Sequence, residues 1–249
     1  MPLAETDMLL VIAGFVLLML GGEFVVQGAV TIANRLRVPP LLVGFTVVAI
    51  GTSLPELAVA LEAVGNDTPD IAVGGVLGSN VANVMLVLGT AAVLGAASDP
   101  GPGVRRDAIA VAVATAILLA TVLIGKITSQ FGVLMLLGLA AYYTYSYLTS
   151  KAEGDDVENS KSWLPENVLL AIPTTAVGGY MIWTGAGMLV EGATGLAIGY
   201  GISESVIGLS VVALGTSLPE LAVTLVAGLR GKGGVAIGNI LGSNVINIL

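Results

Sequence analysis

Two glutamates, Glu56 and Glu220, each stand near the middle of a long apolar stretch, and each closes the same hexapeptide, Gly-Thr-Ser-Leu-Pro-Glu. An ionisable side chain at that depth in lipid costs at least about 2.5–3.5 kcal/mol, so both must face the protein interior and need a partner. No basic residue is placed to serve, because the nine Lys and Arg all fall in loops or at span ends. The natural counter-charge is a bound cation. Thr52 and Glu56 are four residues apart and share a helix face, as do Ser79 and Asn83, Thr216 and Glu220, and Ser243 and Asn247. Each pair adds oxygen atoms, the ligands that hard cations such as Ca2+ and Na+ take. Pro55 and Pro219 cannot donate to the carbonyls of Gly51 and Gly215, and their rings open that turn, so the freed carbonyls join the oxygen set. Gly78 and Gly242, which precede the two Ser-Asn pairs, are expected to allow a second helix break facing the first.

Charge then restricts the cargo. Two carboxylates carry −2, which one Ca2+ neutralises and two or more Na+ can match. Both kinds of ion together would repel strongly in a site of low dielectric, so occupancy is mutually exclusive, which is the requirement for exchange. The chain has no phosphate-binding loop of the G-x-x-x-x-G-K-[ST] type, which leaves an ion gradient as the energy source. Without Cys or His there is no thiolate metal site, no thiol nucleophile and no imidazole proton shuttle. Intramembrane proteolysis fails as well, since no Ser is paired with a Lys base inside a span.

The elements that must hold these residues are membrane helices. The 249 residues are 55% hydrophobic and 10% charged, with a mean hydropathy of +0.96. A globular surface cannot be covered by so few charges. The net charge of −8 also excludes a nucleic-acid partner. The apolar runs predict spans at roughly 8–33, 39–64, 70–97, 107–125, 130–149, 164–197, 203–228 and 234–249. Arg35, Arg37, Arg105, Arg106, Lys151, Lys161, Arg230 and Lys232 fall between spans on one side, and only Lys126 lies opposite. Basic loops stay cytoplasmic, so the N-terminus is expected outside.

Sliding the sequence by 164 residues aligns 26–85 with 190–249 without a gap, and 27 of those 60 positions are identical. Five spans separate equivalent points, so the second copy crosses the bilayer in the opposite direction, an inverted repeat of the kind that builds secondary transporters. The expected organisation is a first half over 1–150, a cytoplasmic linker over 151–163 and a second half over 164–249. Leu249 aligns with Met85, after which the first half finishes its third span and adds two more. By symmetry the expected whole is an all-α polytopic membrane protein of two five-helix halves, with ten helices, of which about eight are present.

Two GTSLPE segments, each followed by a GSN motif with Asn four residues after its Ser, resemble the α-repeats of the Na+/Ca2+ exchanger family within the cation/Ca2+ antiporter superfamily. The resemblance implies a compact core of helices two, three, seven and eight, across which helices one and six slide. It implies Glu56 and Glu220 as central Ca2+ ligands, with backbone carbonyls of Thr52 and Thr216. It also implies flanking Na+ sites lined by Ser53, Ser79, Ser217 and Ser243 and the carbonyls of Ala49 and Ala213. Asn83 and Asn247 hold the paired positions on helices three and eight. Asp stands at the latter position in some relatives and in K+-dependent exchangers, so Asn247 argues against K+ co-transport. The expected protein is thus a short, prokaryotic-type, monomeric Na+-driven Ca2+ antiporter of the plasma membrane, not an enzyme, with Ca2+ and Na+ as transported ions and no organic cofactor. H+/Ca2+ exchange, exchange of another divalent ion such as Mg2+ or Mn2+, and a gated cation channel remain open beside it. Glu23 and Glu191 lie within spans but do not align with one another, and either helix packing or the mouth of a pathway suits them.

Overall fold

Lipid offers no partner for a backbone N–H, so apolar runs of this length have only the helix available. The structure is a computed structural model that describes residues 2–67, 69–125, 128–152, 162–165, 167–202 and 213–249. Its helices are α1 (Pro2–Leu36), α2 (Pro40–Thr52), α3 (Leu54–Gly65), α4 (Pro69–Ala82), α5 (Leu88–Val93), α6 (Val104–Ile124), α7 (Ser129–Ala152), α8 (Val168–Gly199), a turn α9 (Ala213–Gly215), α10 (Leu218–Leu229) and α11 (Gly233–Ile248). Among the described residues, five helices are long and apolar enough to cross a membrane, or six if the bent pair α2 and α3 is one span. The expected seventh span is described only from Ala213 onward, and most of the polar linker, 153–161, lies outside the described residues.

The helix breaks follow from local chemistry. Pro40 occupies the first turn of α2, where its missing N–H costs nothing. Between α2 and α3 the chain turns at Ser53 (φ −87, ψ 6) with Pro55 in the first turn of α3, and the two helices are bent by 44°. Ser217 repeats this conformation (φ −85, ψ 0) ahead of Pro219 and α10. The breaks expected at Gly78 and Gly242 do not form: α4 runs through Gly78 to Ala82, and α11 runs through Gly242 to Ile248. Glycine lowers the cost of a break, but nothing there removes a backbone donor as proline does. Irregularity appears instead as π turns at Gly44–Val48 within α2 and at Asn83–Val87 between α4 and α5. Such bulges frequently accompany functional sites.

The most extensive interface joins α1 to α8, antiparallel. A Cβ on Gly14 would lie 2.6 Å from the Gly185 carbonyl, and one on Gly185 2.8 Å from the Gly14 carbonyl. Gly21 and Gly178 meet in the same way, at 2.7 and 2.8 Å. These glycines recur every seven residues, at 14, 21 and 28 and at 178, 185 and 192, and the shift of 164 carries the first set onto the second. The Gly14–Gly185 contact therefore maps onto Gly178–Gly21, so the repeat seen in the sequence is a pseudo-twofold axis of the folded helix pair. Small residues let the two backbones touch, which is how helices associate where lipid removes the hydrophobic drive. Gly185→Ala is expected to cost about 1–3 kcal/mol through overpacking. Gly187→Ala, where a Cβ meets no described atom within 4 Å, is expected to stay within about 0.5 kcal/mol. Thermal melting of the two variants in detergent checks this, and equal melting temperatures would contradict it.

Helix α11 is enclosed on most sides, with α2 along its length and α6 and α10 beside it. Gly238 and Gly242 press it against α2: a Cβ on Gly242 would run into the Phe45 carbonyl and lie 2.6 Å from Ala49 Cβ. Phe45 is fully buried, with the rings of Tyr142 and Tyr143 from α7 edge-on at 5.7 and 5.9 Å. Buried Asp107 fixes α6 to α7 by accepting from Arg106 Nε at 2.8 Å and from the Tyr142 hydroxyl at 2.6 Å. Glu23, left open above, has a packing role. It accepts from Arg230 Nε at 2.8 Å, from Gln27 Nε2 at 3.0 Å and from Trp163 Nε1 at 3.1 Å. It thereby ties α1 to the loop after α10 and to the entry of α8. Glu191 is exposed on α8.

Candidate ion-binding site

The two broken helices and the two GSN helices, α4 and α11, converge on one interior region. Each proline places a glutamate in the first turn after a break, so Glu56 and Glu220 both point inward from the middle of the fold. Glu220 is fully buried and Glu56 is 9% exposed. Ser53, at the first break, donates its hydroxyl to Glu220 Oε1 at 3.2 Å, so a residue of one repeat bonds the acid of the other. Thr52 Oγ1 donates to Asn239 Oδ1 at 3.0 Å and lies 3.3 Å from Ser243 Oγ and from the Ala49 carbonyl.

A second polar layer joins α4 to α11. Asn247 Nδ2 donates to Ser79 Oγ at 2.8 Å and to Asn80 Oδ1 at 3.3 Å. Asn83 Nδ2 donates to Asn244 Oδ1, also at 3.3 Å. The Asn247–Asn80 and Asn83–Asn244 contacts are mirror images under the shift of 164 and have equal length. Asn80 completes the layer by donating to the Asn244 carbonyl at 3.3 Å.

Most oxygens expected at the site are therefore brought together: Ala49, Thr52, Ser53, Glu56, Glu220 and Ser243 around the acids, and Ser79, Asn83 and Asn247 in the adjoining layer. Ser217 is buried at the second break, Thr216 beside it is half-buried, and Ala213 opens α9. Among the described residues, no hydrogen-bond donor reaches either oxygen of Glu56, Glu220 Oε2, Asn83 Oδ1 or Ser217 Oγ, although all are buried. The two ion pairs found among the described residues, Arg106–Asp107 and Arg230–Glu23, leave both site acids without a cationic partner. Buried acceptors without donors are costly, and this set, made only of oxygen, suits a hard cation.

Three residues of this region were not singled out from the sequence. Asn80 and Asn244 are part of the repeated GSN triplet, and their recurrence was the available signal. Asn239 carried a different one: it stands where the first repeat has Gly75, a polar insertion in an otherwise apolar and matching stretch.

A small cavity of about 40 Å³ touches the site at Thr52, Pro55 and Pro219 and is closed by Val25 of α1 and Thr175, Gly179, Ile182 and Trp183 of α8. The glycine-paired helices thus lie beside the two proline breaks that carry the acids.

Comparison with known proteins agrees with this architecture. The family model described as sodium/calcium exchanger protein matches residues 6–148 and 170–249. A putative antiporter, CaxA of Alkalimonas amylolytica, is 34% identical over 96% of this chain and 76% of its own length. The sodium/calcium exchanger MaX1 of Methanosarcina acetivorans is 32% identical over 97% of this chain and 80% of its own. The solved sodium/calcium exchanger from Methanococcus jannaschii superimposes with a TM-score of 0.82 at 30% identity, over 98% of this chain and 79% of that one. With the family model covering most of its length and the fold shared throughout, this chain belongs to the sodium/calcium exchanger family.

Proposed function

We propose that the protein is a secondary active antiporter that exchanges Na+ for Ca2+ across the cell membrane by alternating access. The observation that carries this reading is the pair of buried acids, contributed by opposite repeats and left without a cationic side chain among the described residues. In this reading Glu56 and Glu220 are the central Ca2+ ligands, joined by main-chain oxygens of Thr52 and Thr216. Ser53, Ser79, Ser217 and Ser243 line flanking Na+ positions with the carbonyls of Ala49 and Ala213. Asn83 and Asn247 supply neutral oxygens at the paired positions of the two GSN helices. The Ala49 carbonyl already receives Ser53 N–H at 3.0 Å, so an ion there uses its second lone pair.

The chain, organised as halves 1–150 and 164–249 with the linker 151–163 between them, is a plasma-membrane monomer with its N-terminus outside, in which α1 and α8 slide across the core formed by the broken helices and the GSN helices. A solved relative, the sodium-calcium exchanger of Methanococcus jannaschii, has been soaked with Na+ together with Ca2+ or Sr2+, which supports the same two cargoes here. Coupling to H+ is the second reading, because carboxylates that lack donors can take up protons as well as metal ions.

The test is 45Ca2+ uptake into proteoliposomes under an outward Na+ gradient or an outward H+ gradient. Uptake is expected with Na+ and not with H+ alone. The opposite result would transfer the protein to proton coupling, and uptake that needs no counter-ion would make it a channel.

A further inference from the structure

We propose that Asn239 is a positioning residue for the site, one that ties Thr52 of the first repeat to the main chain of Glu220 in the second and so sets the affinity for the divalent ion. The inference rests on the site assigned above and concerns a residue outside that ligand set.

Asn239 is fully buried in the middle of α11. Its carboxamide is used at both ends: Oδ1 accepts from Thr52 Oγ1 at 3.0 Å, and Nδ2 donates to the Glu220 carbonyl at 3.4 Å. One side chain therefore spans the two GTSLPE copies. Thr52 has a single hydroxyl proton, and of its three side-chain contacts within 3.5 Å the one to Asn239 Oδ1 is the shortest. That bond turns the Thr52 lone pairs toward the remaining neighbours, Ser243 among them, and holds the turn 49–53 from which Ser53 reaches Glu220.

The mirror position shows what the residue adds. In the layer formed by Asn80, Asn83, Asn244 and Asn247, the Asn247–Asn80 and Asn83–Asn244 contacts pair across the pseudo-twofold axis at equal length. Around the acids the contacts differ between the repeats. Ser53 bonds Glu220, whereas Ser217, its mirror, has an oxygen without a donor among the described residues, and so does Glu56. Gly75 stands at the mirror of Asn239 and has no side chain with which to do for Thr216 what Asn239 does for Thr52. Asn239 is a side chain of the second repeat with no counterpart at the mirror position in the first.

Uptake of 45Ca2+ into Na+-loaded proteoliposomes tests this with Asn239→Ala, Thr52→Val, the double variant, and Glu220→Gln beside them. Asn239→Ala is expected to raise the Ca2+ concentration for half-maximal uptake about tenfold, one hydrogen bond's worth of positioning, with the maximal rate within about twofold. If Asn239 acts through Thr52, adding Asn239→Ala to Thr52→Val changes that concentration by less than about twofold. Thermal melting of the Asn239→Ala variant in detergent guards against a folding defect, with a melting temperature expected within about 5 °C of wild type. Independent, multiplying effects of the Thr52 and Asn239 changes would overturn the assignment, as would an Ala variant that loses rate with unchanged affinity. Any of these with Glu220→Gln inactive leaves the ion site standing and removes only the role of Asn239. Glu220→Gln with wild-type uptake would remove the site and this inference with it.

Discussion

Glu56→Gln and Glu220→Gln are each expected to reduce Na+-driven Ca2+ uptake by at least about a hundredfold, equivalent to about 2.7 kcal/mol, while raising the melting temperature of the ion-free protein. The two effects have opposite signs for one reason. Glutamine preserves the volume of the side chain and, at Glu220, an oxygen to accept from Ser53. It removes a carboxyl group buried in a region lacking a cationic side chain among the described residues. Without ions that unpartnered acid opposes folding, so its removal stabilises. With Ca2+ the same charge is what holds the divalent ion, and the site falls from −2 to −1. The increase in melting temperature that Ca2+ gives the wild-type protein should therefore shrink in both variants, because only a ligand that binds the folded state stabilises it. Melting curves with and without Ca2+, beside initial uptake rates, check both halves of the expectation. A variant that transports normally, or one that melts lower than wild type without ions, would contradict it.

Gly242→Ala is expected to destabilise the protein by about 3 kcal/mol, the upper range for overpacking, and to abolish uptake. A Cβ at that position would run into the Phe45 carbonyl and lie 2.7 Å from the Phe45 carbonyl carbon and 2.6 Å from Ala49 Cβ. Two of those three atoms are backbone, which cannot rotate away as a side-chain end can. Phe45 cannot retreat either, since it is fully buried against the rings of Tyr142 and Tyr143. Helix α11 must then move off α2, and Ser243, the next residue, moves with it. Its 3.3 Å contact to Thr52 and the Asn239 bond one turn earlier depend on that close approach. Thermal melting in detergent and Ca2+ uptake are the measurements. Wild-type values in both would show that the α2–α11 approach is not needed by the site.

The amino-acid sequence by itself determined the solvent, the repeat and the acids. Lipid exposure follows from composition, since so few charges cannot face water. The breaks before Glu56 and Glu220 follow from Pro55 and Pro219, because a missing N–H weakens the turn before it, although α8 carries Pro173 without a break. The mirrored glutamates declared a site because burial of a carboxylate is costly enough to need a reason wherever it occurs.

What the tertiary structure decided were the matters in which a residue permits more than one outcome. Gly242 could have bent its helix or admitted a neighbour, and it admits Phe45 and Ala49, because those atoms arrive from a helix about 195 positions earlier in the chain. The heptad glycines of α1 and α8 were visible as a spacing, yet only the antiparallel pairing of Gly14 with Gly185 and Gly21 with Gly178 gives that spacing a meaning. Asn239 differs from Gly75 at the mirror position in the sequence, but only folding sets its amide between Thr52 and Glu220. Proline and buried charge act through energies fixed by the residue and its immediate neighbours. Glycine contacts and carboxamide bonds have energies fixed by what comes within about 3.5 Å, and in a helical membrane protein that distance is set by packing between segments far apart in the chain.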